Sequence, residues 1–142
     1  MRLSTRGRYG LRAMLDIAID QSDEPVTLAS ISERQGVSIG YLEQLMVPLK
    51  KEGLIRSVRG AQGGYLLSRV PENITVGDII RTLEGPIAPV ACVSEDYPEE
   101  CDRAEGCVTR LVWAKVRDSI VDVLDSLTLY DMVEEARKNS ER

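Results

Sequence analysis

The chain has 142 residues, 43% of them hydrophobic and 29% charged, within the ordinary range for a soluble globular protein. It contains no histidine, which excludes any mechanism that needs imidazole as base, nucleophile or metal ligand. No apolar run reaches membrane-spanning length and no signal-like N-terminus is present, so a cytoplasmic protein is expected. With five Tyr, one Trp and no Phe, aliphatic side chains must supply most of the core. The net charge of −5 hides an asymmetry. Residues 1–69 carry ten Lys/Arg against seven Asp/Glu, and residues 70–142 carry eight against sixteen. A basic half beside an acidic half suits a polyanion-binding module joined to something that need not touch the polyanion.

In chain order, Leu11, Met14, Leu15, Ala18 and Ile19 recur at helical spacing, and Ser4 or Thr5 is placed to cap that helix. Arg2, Arg6, Arg8 and Arg12 cluster at its start. Thr27 is placed to cap a short helix over 28–35 with Leu28 and Ile31 inward. Gly36 breaks the pattern, and Ser38 caps a second helix whose stripe is Leu42, Leu45, Met46 and Leu49. Helix, glycine turn and capped helix make a helix-turn-helix. Pro48 inside the second helix removes a backbone donor and predicts a kink and distorted last turns, closed by Gly53. Two short β-like runs, Leu54–Val58 and Tyr65–Ser68, flank a Gly-rich tip and make a hairpin, which in this position is a wing. Thr75 is placed to cap a helix to Leu83 with Val76, Ile79, Ile80 and Leu83 on one side. Residues 86–106 lack periodicity. From Cys107 a long helix begins with a broad apolar stripe of Val108, Leu111, Val112, Val116, Ile120, Val123, Leu124 and Leu127. Thr128 then caps a closing helix over 129–137, and the last five residues are expected to fray.

The expected fold is therefore mainly α with a small β-hairpin. Residues 1–85 read as a winged helix-turn-helix domain, 86–107 as a cysteine-containing loop, and 108–137 as a dimerisation helix plus closing helix. An α-helix fits the major groove of DNA, and its N-terminal residues reach base edges. On the second helix of the motif, Ser38, Tyr41, Glu43 and Gln44 are the polar residues away from the stripe. Gln44 can pair with adenine and Glu43 can accept from cytosine N4. Ser38 can cap the helix or touch a phosphate, and Tyr41 can reach a phosphate or a thymine methyl. Arg59-Gly60 at the wing tip suits minor-groove entry. Arg2, Arg6, Arg8, Lys50, Lys51 and Arg56 are candidates for phosphate contacts. The Gly-rich tip lacks the Gly-Lys-Ser/Thr of a nucleotide-binding P-loop.

Cys92, Cys101 and Cys107 are separated by eight and five residues. Three thiols in a protein of this kind point away from structural disulfides and toward metal or redox chemistry. Thiolates ligate iron–sulfur clusters, and the spacing alone leaves inert or redox-active thiols open as well.

Four ordered motifs carry a resemblance over residues 1–130. They are the stretch 1–10 (MRLSTRGRYG), 41–45 (YLEQL), 58–66 (VRGAQGGYL) and 74–79 (ITVGDI). Together they resemble the winged-helix bacterial regulators of the IscR, NsrR and CymR type, closest to the IscR-like iron–sulfur members. The resemblance implies a homodimeric transcription factor bound to a double-stranded DNA operator, with the long C-terminal helix crossing to its partner. It also implies that Cys92, Cys101 and Cys107 hold a 2Fe–2S cluster, since Cys107-Val-Thr-Arg-Leu-Val-Trp113 looks like the end of the IscR-like motif. IscR-like members carry a histidine where this chain has Arg110, and their first cysteine gap is shorter. NsrR-like members use an aspartate from the first helix, where this chain reads Arg8-Tyr9. CymR-like members share the stretch Leu83-Glu-Gly-Pro-Ile87 and act without a cluster. The fourth ligand is thus left among Glu95, Asp96, Asp102, Glu105 and an exogenous thiol. The implied function is a repressor or dual regulator, not an enzyme, controlled by the cluster. The alternatives are the same dimer controlled by thiol oxidation or a partner protein, or a small redox protein or cluster carrier.

Overall fold

A computed structural model describes residues 3–20, 23–96 and 98–140. Among them are six α-helices and one hairpin: α1 (Thr5–Ile19), α2 (Leu28–Gln35), α3 (Ile39–Lys51), β1 (Ile55–Val58), β2 (Gly64–Leu67), α4 (Val76–Glu84), α5 (Val108–Ser126) and α6 (Leu129–Ser140). Single 3-10 turns lie at Pro71–Asn73 and Ala91–Val93. No helix among the described residues is long and apolar enough to cross a membrane.

The apolar stripes of α3 and α4 are the center of the molecule. Leu42, Leu45, Met46 and Leu49 of α3 are buried, as are Val76, Ile79, Ile80 and Leu83 of α4. Side chains of this kind contribute about 1.5–3 kcal/mol each when fully buried. On α1 the buried face is Gly7, Gly10, Ala13, Met14, Ile17 and Ala18, while Ile19 is 45% exposed and Leu11 and Leu15 are half-buried. This face is rotated from the one expected, because α1 meets α4 through its small residues. A Cβ on Gly10 would lie 2.0 Å from Leu83 Cδ1, and one on Gly7 would lie 2.6 Å from Glu84 Oε1. Bare backbone is what lets the two helices approach.

The caps follow the sequence except at α1, where Ser4 holds the N-cap position but its side chain makes no cap bond, its hydroxyl donating to Glu84 instead. Thr27 Oγ1 accepts from Ser30 N–H, and Ser38 Oγ accepts from Tyr41 N–H at 3.1 Å. Thr75 and Asp78 form a reciprocal capping box on α4, and Thr128 and Asp131 do the same on α6. The helix α3 continues through Pro48 to Lys51. Pro48 denies the Gln44 carbonyl its partner, but the following turn closes normally. Leu54 N–H donates to Leu49 O and Gly53 N–H to Lys50 O, with Gly53 at φ +77°. That is the Schellman ending, and it needs a left-handed residue after the helix.

The hairpin pairs Ile55 with Leu67 through Val58 with Gly64. Val26 adds an isolated bridge to Tyr65. The closing helix α6 runs to Ser140, so the fraying expected from residue 138 is not seen among the described residues. It returns to the winged-helix core: Leu129 and Val133 are buried against the cluster that includes Met14 and Ile74. Backbone bonds from Val76 N–H to Leu127 O and from Leu129 N–H to Ile74 O tie this return to the start of α4. Residues 86–106, expected to be irregular throughout, contain one 3-10 turn that holds Cys92.

Candidate nucleic-acid interface and cysteine loop

The outward side of α3 is a strip of Ile39, Gly40, Glu43, Gln44, Val47, Lys50 and Lys51, all exposed, opposite the buried stripe. Glu43 and Gln44 thus stand where base readout requires them, and Lys50 and Lys51 lie at the C-terminal end of the helix. Val47, 68% exposed, and Ile39, 44% exposed, belong to the same strip and were not singled out from sequence. The signal for them was weak, because a hydrophobic residue on a helix is expected inward. Nothing lies within 4 Å of a Cβ built on Gly40, so that position opens directly outward.

Two of the expected contact residues have structural work as well. Ser38 spends its hydroxyl capping α3. Tyr41 is half-buried, its ring set edge-on to Tyr9 at 6.2 Å between centroids, and its hydroxyl donates to Thr5 Oγ1 at 3.3 Å. Tyr41 therefore joins the head of α3 to the first turn of α1. Arg12 stacks over the same Tyr9 at 5.4 Å. Arg6, Arg8 and Arg56 are exposed. Arg2 lies outside the described residues. At the wing, Arg59 and Gly60 are exposed, and the turn closes with Gly63 N–H donating to Gly60 O at 3.0 Å. Gly60 has φ +109°, a backbone region that β-carbon-bearing residues rarely enter.

The turn that carries Cys92 packs against α5, and Glu95 reaches Arg81 of α4. Cys92 is half-buried on its 3-10 turn, Cys101 is exposed, and Cys107 is half-buried at the N-cap of α5; all three thiols are free. The Thr109 hydroxyl, 3.3 Å from Cys107 Sγ, and the Arg110 backbone N–H hold that thiol below its usual range. Such donors favour the thiolate. Arginines of α5 clasp the turn: Arg110 Nη2 donates to Cys92 O at 3.5 Å and Arg117 Nη1 to Val93 O at 3.2 Å. Arg110, Arg117, Cys107 and Val93 line a cleft of about 440 Å³.

The three thiols match an iron–sulfur cluster in donor type, but not in placement. Among the described residues no three Cys, Asp or Glu side chains converge where they would hold a metal ion. Glu95, one of the four carboxylates expected as a further ligand, is instead bound by the guanidinium of Arg81 at 2.7 Å and by Ile87 N–H at 2.8 Å. Arg81 also grips Asp125 of α5 at 2.7 Å. Both carboxyls are held below their ordinary range, chiefly by hydrogen bonds from Arg81.

The helix α5 buries none of its residues within the chain. Val108, Leu111, Val112, Trp113, Val116 and Val123 are exposed, Leu111 by 64% and Val123 by 56%. An apolar face this long on a lone protomer marks an interaction surface.

The sequence matches the model of the Rrf2 family, described as iron-dependent transcriptional regulators, over residues 3–135. It is 45% identical to the HTH-type transcriptional regulator CymR of Bacillus subtilis over 132 residues, 93% of this chain and 89% of that protein. The fold superposes on the structure of CymR, the global cysteine regulator of B. subtilis, with a TM-score of 0.82 at 44% identity, covering 95% of this chain and 98% of that one. It superposes on T. potens IscR with a TM-score of 0.77 at 49% identity, covering 96% and 88%.

Proposed function

The chain belongs to the Rrf2 family of transcriptional regulators, and from that premise we propose that it is a homodimeric operator-binding regulator whose cysteine loop controls its DNA affinity. The observation that carries the reading is the outward strip of α3, with Glu43, Gln44, Lys50 and Lys51 exposed immediately before a wing tipped by Arg59. Glu43 and Gln44 read base edges in the major groove, and Arg59 with Gly60 enters the adjacent minor groove. Lys50 and Lys51, with Arg2 and Arg8 at the start of the chain, contact phosphates. Ser38 and Tyr41 set the angle of the helix as much as they touch DNA. The apolar face of α5 meets the same face of a second copy. Selection of duplexes from a random pool by the reduced protein tests this. Enrichment of a sequence with two related half-sites is expected, and recovery without enrichment would refute it.

For the control chemistry we propose an iron–sulfur cluster, most simply 2Fe–2S, taken up by Cys92, Cys101 and Cys107. Its support is the donor type and the similarity to T. potens IscR. It requires the loop to bring the three thiols together, since no three such ligands converge among the described residues. When bound, such a cluster would supply a redox-sensitive cross-link between the loop and α5. Anaerobic protein supplied with iron and sulfide should become coloured and hold iron, and colourless, iron-free protein would exclude the cluster. A second reading, control by thiol oxidation, is favoured by the lack of a converged ligand set among the described residues and by the exposure of Cys101. In that case oxidant alone should change DNA affinity.

A further inference from the structure

Three contacts run in series from the cysteine loop to the head of the recognition helix. In the first, Arg81 of α4 stands between two elements. Its Nε and Nη2 donate to the Glu95 carboxylate at 2.7–3.2 Å, and its Nη1 and Nη2 donate to Asp125 of α5 at 2.7 and 2.9 Å. Glu95 lies three residues after Cys92 and closes the base of the loop. Its carboxylate accepts from Ile87 N–H at 2.8 Å, and its own N–H donates to Ile87 O at 3.3 Å. The approach of α5 depends on Gly77, where a Cβ would fall 2.0 Å from Asp125 Oδ1.

The second contact lies one turn further along α4. Glu84 Oε1 accepts from Ser4 N–H at 3.1 Å and Gly7 N–H at 3.0 Å, and the Ser4 hydroxyl donates to it too. The first turn of α1 is therefore capped by α4. The third contact is the bond from Tyr41 of α3 to Thr5 in that same first turn. A shift of α4 can reach α3 through the first turn of α1, by way of the Glu84 contacts and the Tyr41–Thr5 bond.

We propose that Arg81 is a positioning residue that makes DNA affinity depend on the state of the cysteine loop. The inference rests on the reading of that loop as the control element. Chemical change at the thiols moves the turn that carries Cys92 and draws Glu95 away from Arg81. The guanidinium then keeps only Asp125, α4 is released from the loop, and Glu84 carries the displacement to α1 and through Thr5 to Tyr41. Coupling of this kind requires a physical element whose arrangement both ends bias, and the shared guanidinium supplies it.

The test uses the full chain and a duplex selected by the reduced wild-type protein. The ratio of dissociation constants is measured before and after the thiols are alkylated with iodoacetamide. Wild type is expected to change at least tenfold. Arg81→Met, which lacks the link to Glu95 from the start, should bind within threefold of alkylated wild type even when reduced and change less than twofold on alkylation. Glu95→Gln, which alters only the loop side, should respond less than wild type and serves if Arg81→Met does not fold. Amide hydrogen exchange at residues 4–8 and 39–44 should change on alkylation in wild type and stay constant in the variants, which a purely stabilising ion pair would not produce. A responsive wild type with equally responsive variants overturns the role of Arg81 and leaves the control-element reading intact. A wild type indifferent to alkylation overturns both. A folded Arg81→Met that still binds like reduced wild type also overturns the proposal, because release of α4 from the loop would then leave DNA affinity unchanged.

Discussion

Glu84 caps a helix it does not belong to: its carboxylate accepts from the backbone N–H of Gly7 at 3.0 Å, across the α1–α4 contact. The first turn of α1 leaves unpaired donors, and a carboxylate there satisfies them and complements the helix dipole. Glu84→Ala should therefore destabilise the protein by about 0.5–2 kcal/mol, the usual cost of losing a cap. Gly10→Ala should cost about 1–3 kcal/mol by overpacking against buried Leu83. Gly7→Ala should behave like Glu84→Ala, since the new methyl displaces the Glu84 carboxylate, and combining the two should add little. Denaturant midpoints of the three single variants and the pair decide this. Strict additivity of Gly7→Ala and Glu84→Ala would place the two effects at separate contacts.

The wing and the recognition helix differ in what they should lose. Arg59→Ala should weaken binding to the selected duplex by about 1–3 kcal/mol, as for a cation placed in a groove. An unchanged affinity at physiological salt would remove the wing from the interface. A carboxylate facing DNA repels phosphate and accepts chiefly from cytosine N4. Glu43→Ala should therefore relax sequence preference more than it lowers affinity, and tighten binding to duplexes without that cytosine. Equal loss across a panel of duplex variants would make Glu43 a structural residue.

Gly40 gives a test that separates stability from recognition. A Cβ there meets nothing within 4 Å, and Gly in a helix is less favourable than Ala by roughly 0.5–1 kcal/mol. Gly40→Ala should raise the unfolding free energy by about that amount. If the head of α3 lies against the groove wall, the same substitution should lower DNA affinity. A variant more stable and equally tight would place Gly40 outside the contact surface.

The parts legible in the sequence are those written in local period. The stripes of α3 and α4 and the caps at Thr27, Ser38, Thr75 and Thr128 fall where 3.6-residue spacing and cap chemistry put them, while Ser4 leaves the cap of α1 to Glu84. The buried face of α1 is not legible in the sequence, because Gly7, Gly10 and Ala13 have little hydropathy signal, yet they set where α4 packs. The Arg81 junction was not legible at all: its partners lie 14 and 44 positions away, and no periodicity connects them. Glu95 looked like a spare oxygen donor only because that guanidinium was invisible. The cysteines were readable as a chemical set, but whether they converge depends on a loop without a repeating pattern.

Acid should report on the Arg81 junction. Arg81 holds the Glu95 and Asp125 carboxyls below their ordinary values. A carboxyl whose folded-state value is depressed adds stability that is complete above its unfolded value of about 4, and that is lost as pH falls through the lower folded value. Glu95, with its side chain only 17% exposed, should carry most of this; Asp125, at 41%, is screened by solvent and should carry little. Arg81 stays charged throughout, so the dependence comes from the acids alone. At pH 7, Arg81→Met should be less stable than wild type by about 1–2 kcal/mol, the scale of hydrogen bonds to charged groups. Between pH 5 and pH 2 the wild-type curve should fall more steeply, and the difference between the two proteins should shrink toward the acid end. Urea unfolding at a series of pH values measures it. Curves that stay parallel across that range would mean that Arg81 does not bind the two carboxylates in solution.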